Sequence, residues 1–391
     1  MVDLNELLAI PNPTPVPKNR RGDWTFSQEF DPHDHNTSTI TATTKDKLDG
    51  DDAIHKFIVA QGGVIPKGYR AILIEARHQT HGWTRSEPNT DATTKPTWFY
   101  KFRIEPLGNS RNIDELIKHV GKQKPVTKST TTTDTVFHFV VGDTQLGKID
   151  GDSTSGIVNR WEQSINTAAD KWKSLGKPPV HLSLVGDCIE GNQSQNGRNM
   201  WRTHLTVTEQ TRVLRRMILR TIDAFISAPT IDFSVVNGNH DQVQRFQETR
   251  DDDGHATEAA IAVQEAINLN KERYGHVKFY VPKVDMGHLV IDLKGTSMVV
   301  AHGHQWARTK SLDWWKSQSF SDDNTHQAHI LIHGHEHEFS IRSQKDRLVI
   351  CAPTMESEST WFKNKYGGQG MRGAVIFTTT PGGVFQGLEV V

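Results

Sequence analysis

Five apolar runs in this chain each end in a short cluster of Asp, Asn, Gln or His: VFHFVVGDTQ (136–145), VHLSLVGDCIE (180–190), IDFSVVNGNHD (231–241), SMVVAHGH (297–304) and HILIHGHEHE (329–338). Carboxylate, amide and imidazole donors without a cysteine cluster suit Mn, Fe or Zn ions rather than a structural zinc knot. A set of this kind, delivered from separate strand ends, can hold a pair of cations and so hydrolyse phosphoesters. The apolar runs read as strands, and in open α/β sheets functional loops gather outside the carboxyl ends of the strands.

In order, the clusters are Asp143-Thr144-Gln145, Gly186-Asp187, Gly238-Asn239-His240-Asp241, His302-Gly303 and Gly334-His335-Glu336-His337. The series resembles the calcineurin-like metallophosphoesterase superfamily, whose pattern is D-x-H, GD, GNH followed by an acid, HG, and GHxH. The resemblance spans residues 136–340. It implies that Asp187 bridges two divalent ions, with Asp143, Gln145 and His337 on the first and Asn239, His302 and His335 on the second. It further implies that a hydroxide between the ions attacks phosphorus, that His240 stands beside the leaving group, and that Asp241 orients His240. Gln145 replaces the usual His; its neutral amide oxygen is a weaker ligand, which tilts the expected metal toward Mn over Fe, Zn or Mg. His304 and His333, one step from expected ligands, read as supporting histidines. Cys188, next to Asp187, reads as a small buried filler rather than a nucleophile.

The elements that must position these residues follow from pattern. From 136 onward strands alternate with helices, which implies a mixed or parallel sheet. Trp161, Ile165, Ala168 and Trp172 fall on one face of a helix over 156–174. Further helices are expected over 205–227 and 256–269. Arg212, Arg216 and Arg220 stripe the first of these, a pattern that reads as a solvated face. RLVICAP (347–353) and AVIFTTTPGGVFQGLEV (374–390) read as strands closing a second sheet. The expected fold is a calcineurin-like α/β/β/α four-layer sandwich over 136–391, preceded by a flexible arm (1–20), a small α+β accessory domain (21–123) and a Thr-rich linker (124–135).

The bulk numbers narrow the function classes. The chain has 391 residues and a formal net charge of -1, so no global basic field advertises nucleic acid and any such binding must be local. Two cysteines make no disulfide framework and agree with a reducing compartment. The N-terminus lacks the apolar core of a secretory signal, and no run reaches the roughly 18 apolar residues of a membrane helix. A cytoplasmic protein is expected (host cytoplasm if phage-encoded), without membrane attachment and open to oligomerisation.

For the substrate, DTQLGKIDGD (143–152), GDCIEGNQSQNGRN (186–199), AHGHQWARTKSLDWWKSQ (301–318) and SESTWFKNKYGGQG (357–370) resemble two-domain metallophosphoesterases of tailed bacteriophages, held to be DNA exonucleases like the SbcD-type repair nucleases. Lys148, Arg198, His304 and Trp306 are the candidate substrate contacts, with Trp314 or Trp315 as a base-stacking platform. The leading expectation is a Mn-dependent DNA exo- or endonuclease. The alternatives are a phosphodiesterase or phosphatase acting on a small, even cyclic, nucleotide, and a nucleic-acid-binding protein with a weak metal site. SbcD-type enzymes carry a long capping region that this chain lacks after its GHxH motif, which argues against their ATPase partner.

Overall fold

The computed structural model describes residues 26–29, 39–44, 51–60, 63, 69–79, 97–106, 110–191, 203–243, 249–321, 323–357, 360, 363–364, 367 and 370–391. The expected arm at 1–20 therefore lies outside the described residues. The chain divides into two compact units: Ala9–Ile113, and Asp114–Val391 with Met1–Leu8.

In the smaller unit, β1 (Phe26–Glu29), β2 (Thr39–Thr44), β3 (Tyr69–Gln79) and β4 (Thr97–Pro106) form an antiparallel sheet in the order β1-β2-β4-β3, accompanied by α1 (Asp51–Ala60). Alternation along β2 buries Ile40, Ala42 and Thr44 and leaves Thr39, Thr41 and Thr43 half-buried. On β4 the rings of Tyr100 and Phe102 stack at 5.9 Å and join Ile40 and Ile58 in a small core.

The helix α2 (Ser110–Lys122) runs across the dividing point between the units. Residues 124–135 carry neither helix nor strand. They are laid along the larger unit by hydrogen bonds, with the Ser129 amide donating to the Ser227 carbonyl at 2.7 Å and the Lys294 ammonium to the Thr133 carbonyl at 2.9 Å.

The larger unit opens with β5 (Val136–Val141), α3 (Ser153–Ser174), β6 (Val180–Leu184), α4 (Val207–Ala224), β7 (Ile231–Val235), α5 (His255–Asn268) and β8 (Val277–Tyr280). These strands pair in parallel. It continues with β9 (His288–Leu293), β10 (Thr296–Ala301), α6 (Ser311–Ser319), β11 (Ile330–His333), β12 (Ser340–Gln344), β13 (Arg347–Cys351), β14 (Val375–Thr380) and β15 (Val384–Val390). Two sheets result, a six-stranded one ordered β15-β14-β5-β6-β7-β8 and a five-stranded one ordered β12-β13-β11-β10-β9. In the second sheet β10, β11 and β13 are parallel neighbours.

Side-chain parity on β5 links the sheets to the core. Val136 and Val140 share one buried cluster with Met298 and Val300 of β10 and Ile330 and Ile332 of β11. Phe137 and Phe139 point the other way and pack against Phe225, just past α4. The face predicted for the first long helix is the buried one: Trp161, Ile165, Ala168 and Trp172 are all covered. Thr206 caps α4 and Glu209 reaches back to it, a reciprocal box that fixes where this helix starts.

One expectation needs correction. RLVIC does enter the second sheet, but the C-terminal hairpin of β14 and β15 does not. β14 pairs antiparallel with β5, Val375 opposite Val140, and so extends the first sheet. Its Phe377 stacks on His138 of β5 at 4.4 Å, a contact available only at that edge. Among the described residues no helix is long and apolar enough to cross a membrane.

Candidate metal centre

The loops that leave β5, β6, β7, β10 and β11 at their carboxyl ends meet at one place. Two groups of donors form there, Asp143, Asp187 and His337, and Asp187, His302 and His335, with the ligand atoms of each group within 4.8 Å of one another. The groups share Asp187. Asp143, Asp187 and His302 are buried, and His335 and His337 half-buried.

The backbone at these positions is unusual. Asp143 (φ 48°), Gln145 (41°), Asp187 (50°), His335 (69°) and His337 (53°) all sit in the left-handed region although each bears a side chain. Such a conformation costs about 1–3 kcal/mol per residue and persists only where the surroundings impose it. Both x-spaced pairs, Asp143 with Gln145 and His335 with His337, use the same device. The motif glycines answer a related demand. A Cβ on Gly186 would lie 2.5 Å from His302 Nδ1, and one on Gly334 would lie 2.5 Å from Asp143 Oδ2.

Hydrogen bonds fix which atoms face inward. His302 Nδ1 donates to the Val185 carbonyl at 2.8 Å, which leaves Nε2 3.2 Å from Asp187 Oδ2. His337 Nδ1 donates to Glu356 Oε1 at 2.7 Å, which leaves Nε2 3.4 Å from Asp143 Oδ1. In each case the second ring nitrogen faces a carboxylate oxygen, an arrangement that a proton satisfies in the metal-free chain and a metal cation can take over. His302 Nε2 and Asn239 Oδ1 are both buried without a hydrogen-bond partner. The donor set therefore fits divalent cations, with hard oxygen and imidazole atoms and lone pairs aimed at one space.

The ionisation of the cluster reflects the same crowding. Burial pushes the Asp143 carboxyl up, to about 6, against the pull of His337 and His302. Burial opposes ionisation of Asp187 too, but His302 and His240 outweigh it and hold that carboxyl well below its usual range. Burial would lower His302, yet the Asp187 and Asp143 carboxylates lift it to about 9. Burial, reinforced by His302, drops His335 to about 3.

The remaining expected residues divide. Asn239 lies in the same loop as His240, whose amide donates to Asp187 Oδ1 at 2.8 Å. Gln145 gives its main-chain N–H to the Asp187 carbonyl at 2.9 Å, while its side-chain oxygen accepts from Lys148 Nζ at 3.0 Å. His304 stands at the edge of the cluster, its ring 5.4 Å from that of His302 and 6.4 Å from that of His335. His333 donates from Nδ1 to the Gly334 carbonyl at 2.9 Å and belongs to neither donor group. Cys188 and Cys351 are free and buried, and burial pushes both thiols well above their usual range.

Three expectations are corrected by the geometry. Asp241 does not turn to the His240 ring; its carboxylate accepts from the amides of Gly238 (2.8 Å), Cys188 (3.0 Å) and Ile189 (3.1 Å) and so ties two ligand loops together. The acid beside His240 is Glu190, with Oε2 3.4 Å and the main-chain carbonyl 3.1 Å from Nδ1. Lys148 is not a free substrate cation: it is buried and ion-paired with Glu356. Trp306 is only 8% exposed and Trp315 1% exposed, with Trp315 donating to the Thr325 carbonyl, so these two rings are core; Trp314, 4.5 Å from Trp306, is half-buried. Arg198 lies outside the described residues, as does much of 357–370.

Sequence reading missed Glu356. It follows β13, a sixth strand end whose loop carries no Asn or His cluster. Its acid, flanked by Ser and Met, was the one available signal.

No protein-family model and no curated relative matches the chain. Among solved structures it is similar to a conserved protein of Streptococcus pneumoniae TIGR4 described as a predicted phosphoesterase (13% identity, 63% of this chain and 83% of that one, TM-score 0.27). It is also similar to an archaeal phosphodiesterase (14%, 65% and 99%, TM-score 0.31) and to the phosphoesterase Yfce of E. coli (10%, 62% and 87%, TM-score 0.28).

Proposed function

We propose that the chain is a metal-dependent phosphodiester hydrolase of the calcineurin-like superfamily, its larger unit a four-layer α/β/β/α sandwich. One observation carries the reading: two three-donor groups sharing the buried Asp187, with a second ring nitrogen of His302 and of His337 facing carboxylate oxygens. Asp143, Gln145, Asp187 and His337 would hold one cation, and Asp187, Asn239, His302 and His335 the other, with Mn favoured because Gln145 offers a neutral oxygen. Such ions supply Lewis acidity at the phosphoryl group and acidify a water at neutral pH.

The protein's own residues do the rest. Asp187, held ionised, spans both donor groups. Tying His302 Nδ1 to Val185 and His337 Nδ1 to Glu356 fixes the tautomers that present Nε2. His240, with Nδ1 held by the Glu190 carbonyl, has Nε2 3.9 Å from Asp187 Oδ2 and is the residue placed to give a proton to a leaving alkoxide. Asp241, through its amide contacts, keeps the loops after β6 and β7 in register.

DNA is the proposed substrate, on the resemblance of DTQLGK (143–148) and its companion segments to the phage enzymes. A small nucleotide is the second reading. It is favoured by the burial of Trp306 and Trp315, which leaves only the half-buried Trp314 of the expected stacking rings. The test is hydrolysis with Mn of labelled single- and double-stranded DNA beside a panel of linear and cyclic nucleotides, with Asp187→Asn as control. DNA degradation lost in the control supports the nuclease. Intact DNA with a cleaved nucleotide replaces it with the second reading. No hydrolysis of any diester sinks both.

A further inference from the structure

The two donor groups are backed by different chemistry. Behind His302 stands a neutral, fixed main-chain acceptor, the Val185 carbonyl at 2.8 Å. Behind His337 stands a buried carboxylate, Glu356, at 2.7 Å, itself ion-paired with the buried Lys148. Lys148 also donates to Gln145 Oε1 at 3.0 Å. One ion pair thus reaches both flanks of a single donor group, gripping the Gln145 amide through its cation and the His337 imidazole through its anion. The amide orientation follows, because an ammonium can only donate and so selects the oxygen of Gln145.

The ion pair is held by the ligand loop it serves. The Glu356 amide donates to Thr354 Oγ1 at 3.1 Å, and Thr354 Oγ1 donates to the Asp143 carbonyl at 2.9 Å. The Met355 amide donates to the same carbonyl at 3.3 Å. The loop after β13 is therefore stitched to the loop that carries Asp143 and Gln145, and movement of one drags the other.

We infer that Glu356 and Lys148 are opposed positioning residues that set the cation affinity of the Asp143–Gln145–His337 half without setting that of the His302–His335 half. This rests on the metal-dependent reading above. A carboxylate accepting from an imidazole N–H makes the other nitrogen a stronger donor, whereas an ammonium one hydrogen bond from an expected ligand repels a dication. Removing the carboxylate alone loses the first effect and leaves the second uncompensated, so both changes weaken the same half. Removing the ammonium alone leaves the carboxylate in place and removes the repulsion.

Calorimetric titration of the metal-stripped full chain with manganese(II), checked by melting in chelator, tests this. In Glu356→Gln, one binding step weakens by about 10–100-fold and the other is unchanged. Lys148→Met binds at least as tightly as the wild type, and the double variant falls between Glu356→Gln and wild type. If Glu356→Gln does not fold, the comparison of Lys148→Met with the double variant carries the same test, the double variant being the weaker binder at one step only. A merely structural ion pair would make both single variants weaker to a similar degree, and that outcome overturns the inference. So does a Glu356→Gln titration equal to wild type, or one in which both steps weaken alike. A wild-type chain that binds no manganese(II) overturns the metal-dependent reading along with it, whereas two wild-type steps with Glu356→Gln unaltered overturn this inference alone.

Discussion

The larger unit contains two sets of largely covered histidines, one of them including the half-buried His337, that look alike in sequence and differ in chemistry. At the strand ends, His302 and His337 each have one nitrogen tied off and the other aimed at a carboxylate. In mid-sheet, His138 and His181 have every nitrogen paired with a neutral group. His138 Nε2 meets Thr379 Oγ1 at 2.8 Å, the two Nδ1 atoms meet at 3.0 Å, and His181 Nε2 meets Ser234 Oγ at 2.9 Å. Burial of a histidine therefore says little about its role. What separates the strand-end pair from the mid-sheet pair is a second ring nitrogen left facing an anion.

The largest expected effect breaks the strand-end set. Asp187→Asn removes the carboxylate common to both donor groups and should lower diester hydrolysis by roughly 10³-fold or more, read as kcat/KM, with loss of bound cation read by elemental analysis. Full activity in that variant would put the chemistry elsewhere.

Next comes the exchange test. His181→Ala should lower urea-unfolding stability by about 1–3 kcal/mol, because the buried partners on His138 and Ser234 lose their bonds, while cation stoichiometry stays at the wild-type value. His302→Ala should differ in losing a cation, on top of the stability that its ion pair with Asp187 contributes in chelator. Equal behaviour of the two variants would erase the distinction.

A pH series in chelator sharpens it further. Burial depresses His181 to about 3 and, with His181 beside it, drives His138 well below its usual value. Above about pH 6.5 these residues are neutral in folded and unfolded chain alike and nothing is lost. Below that value the unfolded chain takes up protons that the folded one refuses, so stability falls with pH at about 1.4 kcal/mol per unit per histidine. His302 carries the opposite sign. Its folded value is raised to about 9, so its contribution is complete below about pH 6.5 and fades as pH rises toward 9. Urea midpoints from pH 5 to 9 should lose His181's share of the acid-side slope in His181→Gln, with that of the buried His138 remaining, and the alkaline-side slope in His302→Gln.

The smallest effect is a control. Arg215→Ala breaks an exposed pair with Glu258 on α5 (2.6 Å) and should cost about 0.2–1 kcal/mol with no change in cation binding.

Much of this was legible before the fold. Apolar runs of strand length marked β5, β6, β7, β10 and β11, and the polar cluster after each named the donors that come together. Helical periodicity placed Trp161 and Trp172 inward. What escaped depends on direction rather than residue type. Asp241 neighbours His240 in sequence, yet its carboxylate points back to amides of the preceding ligand loop. Trp306 and Trp315 alternate with Lys and Arg as a binding surface would, yet they cover the outer face of β10 and β11 with Val299 and Leu331. Glu356 is one of two closely spaced acids past the end of β13, with Glu358, and only its reach to His337 and Lys148 gives it meaning. The C-terminal hairpin read correctly as strands, but pattern alone does not say which sheet edge a strand joins.

The left-handed backbone at Gln145 and His335 has a consequence for how this protein can change. Glycine adopts that conformation freely, so His335→Gly would relieve the local strain in the metal-free chain, whereas at the buried Gln145 the bond to Lys148 opposes the same exchange. A directed-evolution screen for heat resistance alone should therefore drift toward glycine at His335 and discard that donor. Selection for turnover has to keep rejecting that drift, and the cost of doing so is written into the φ angles of the proposed donors.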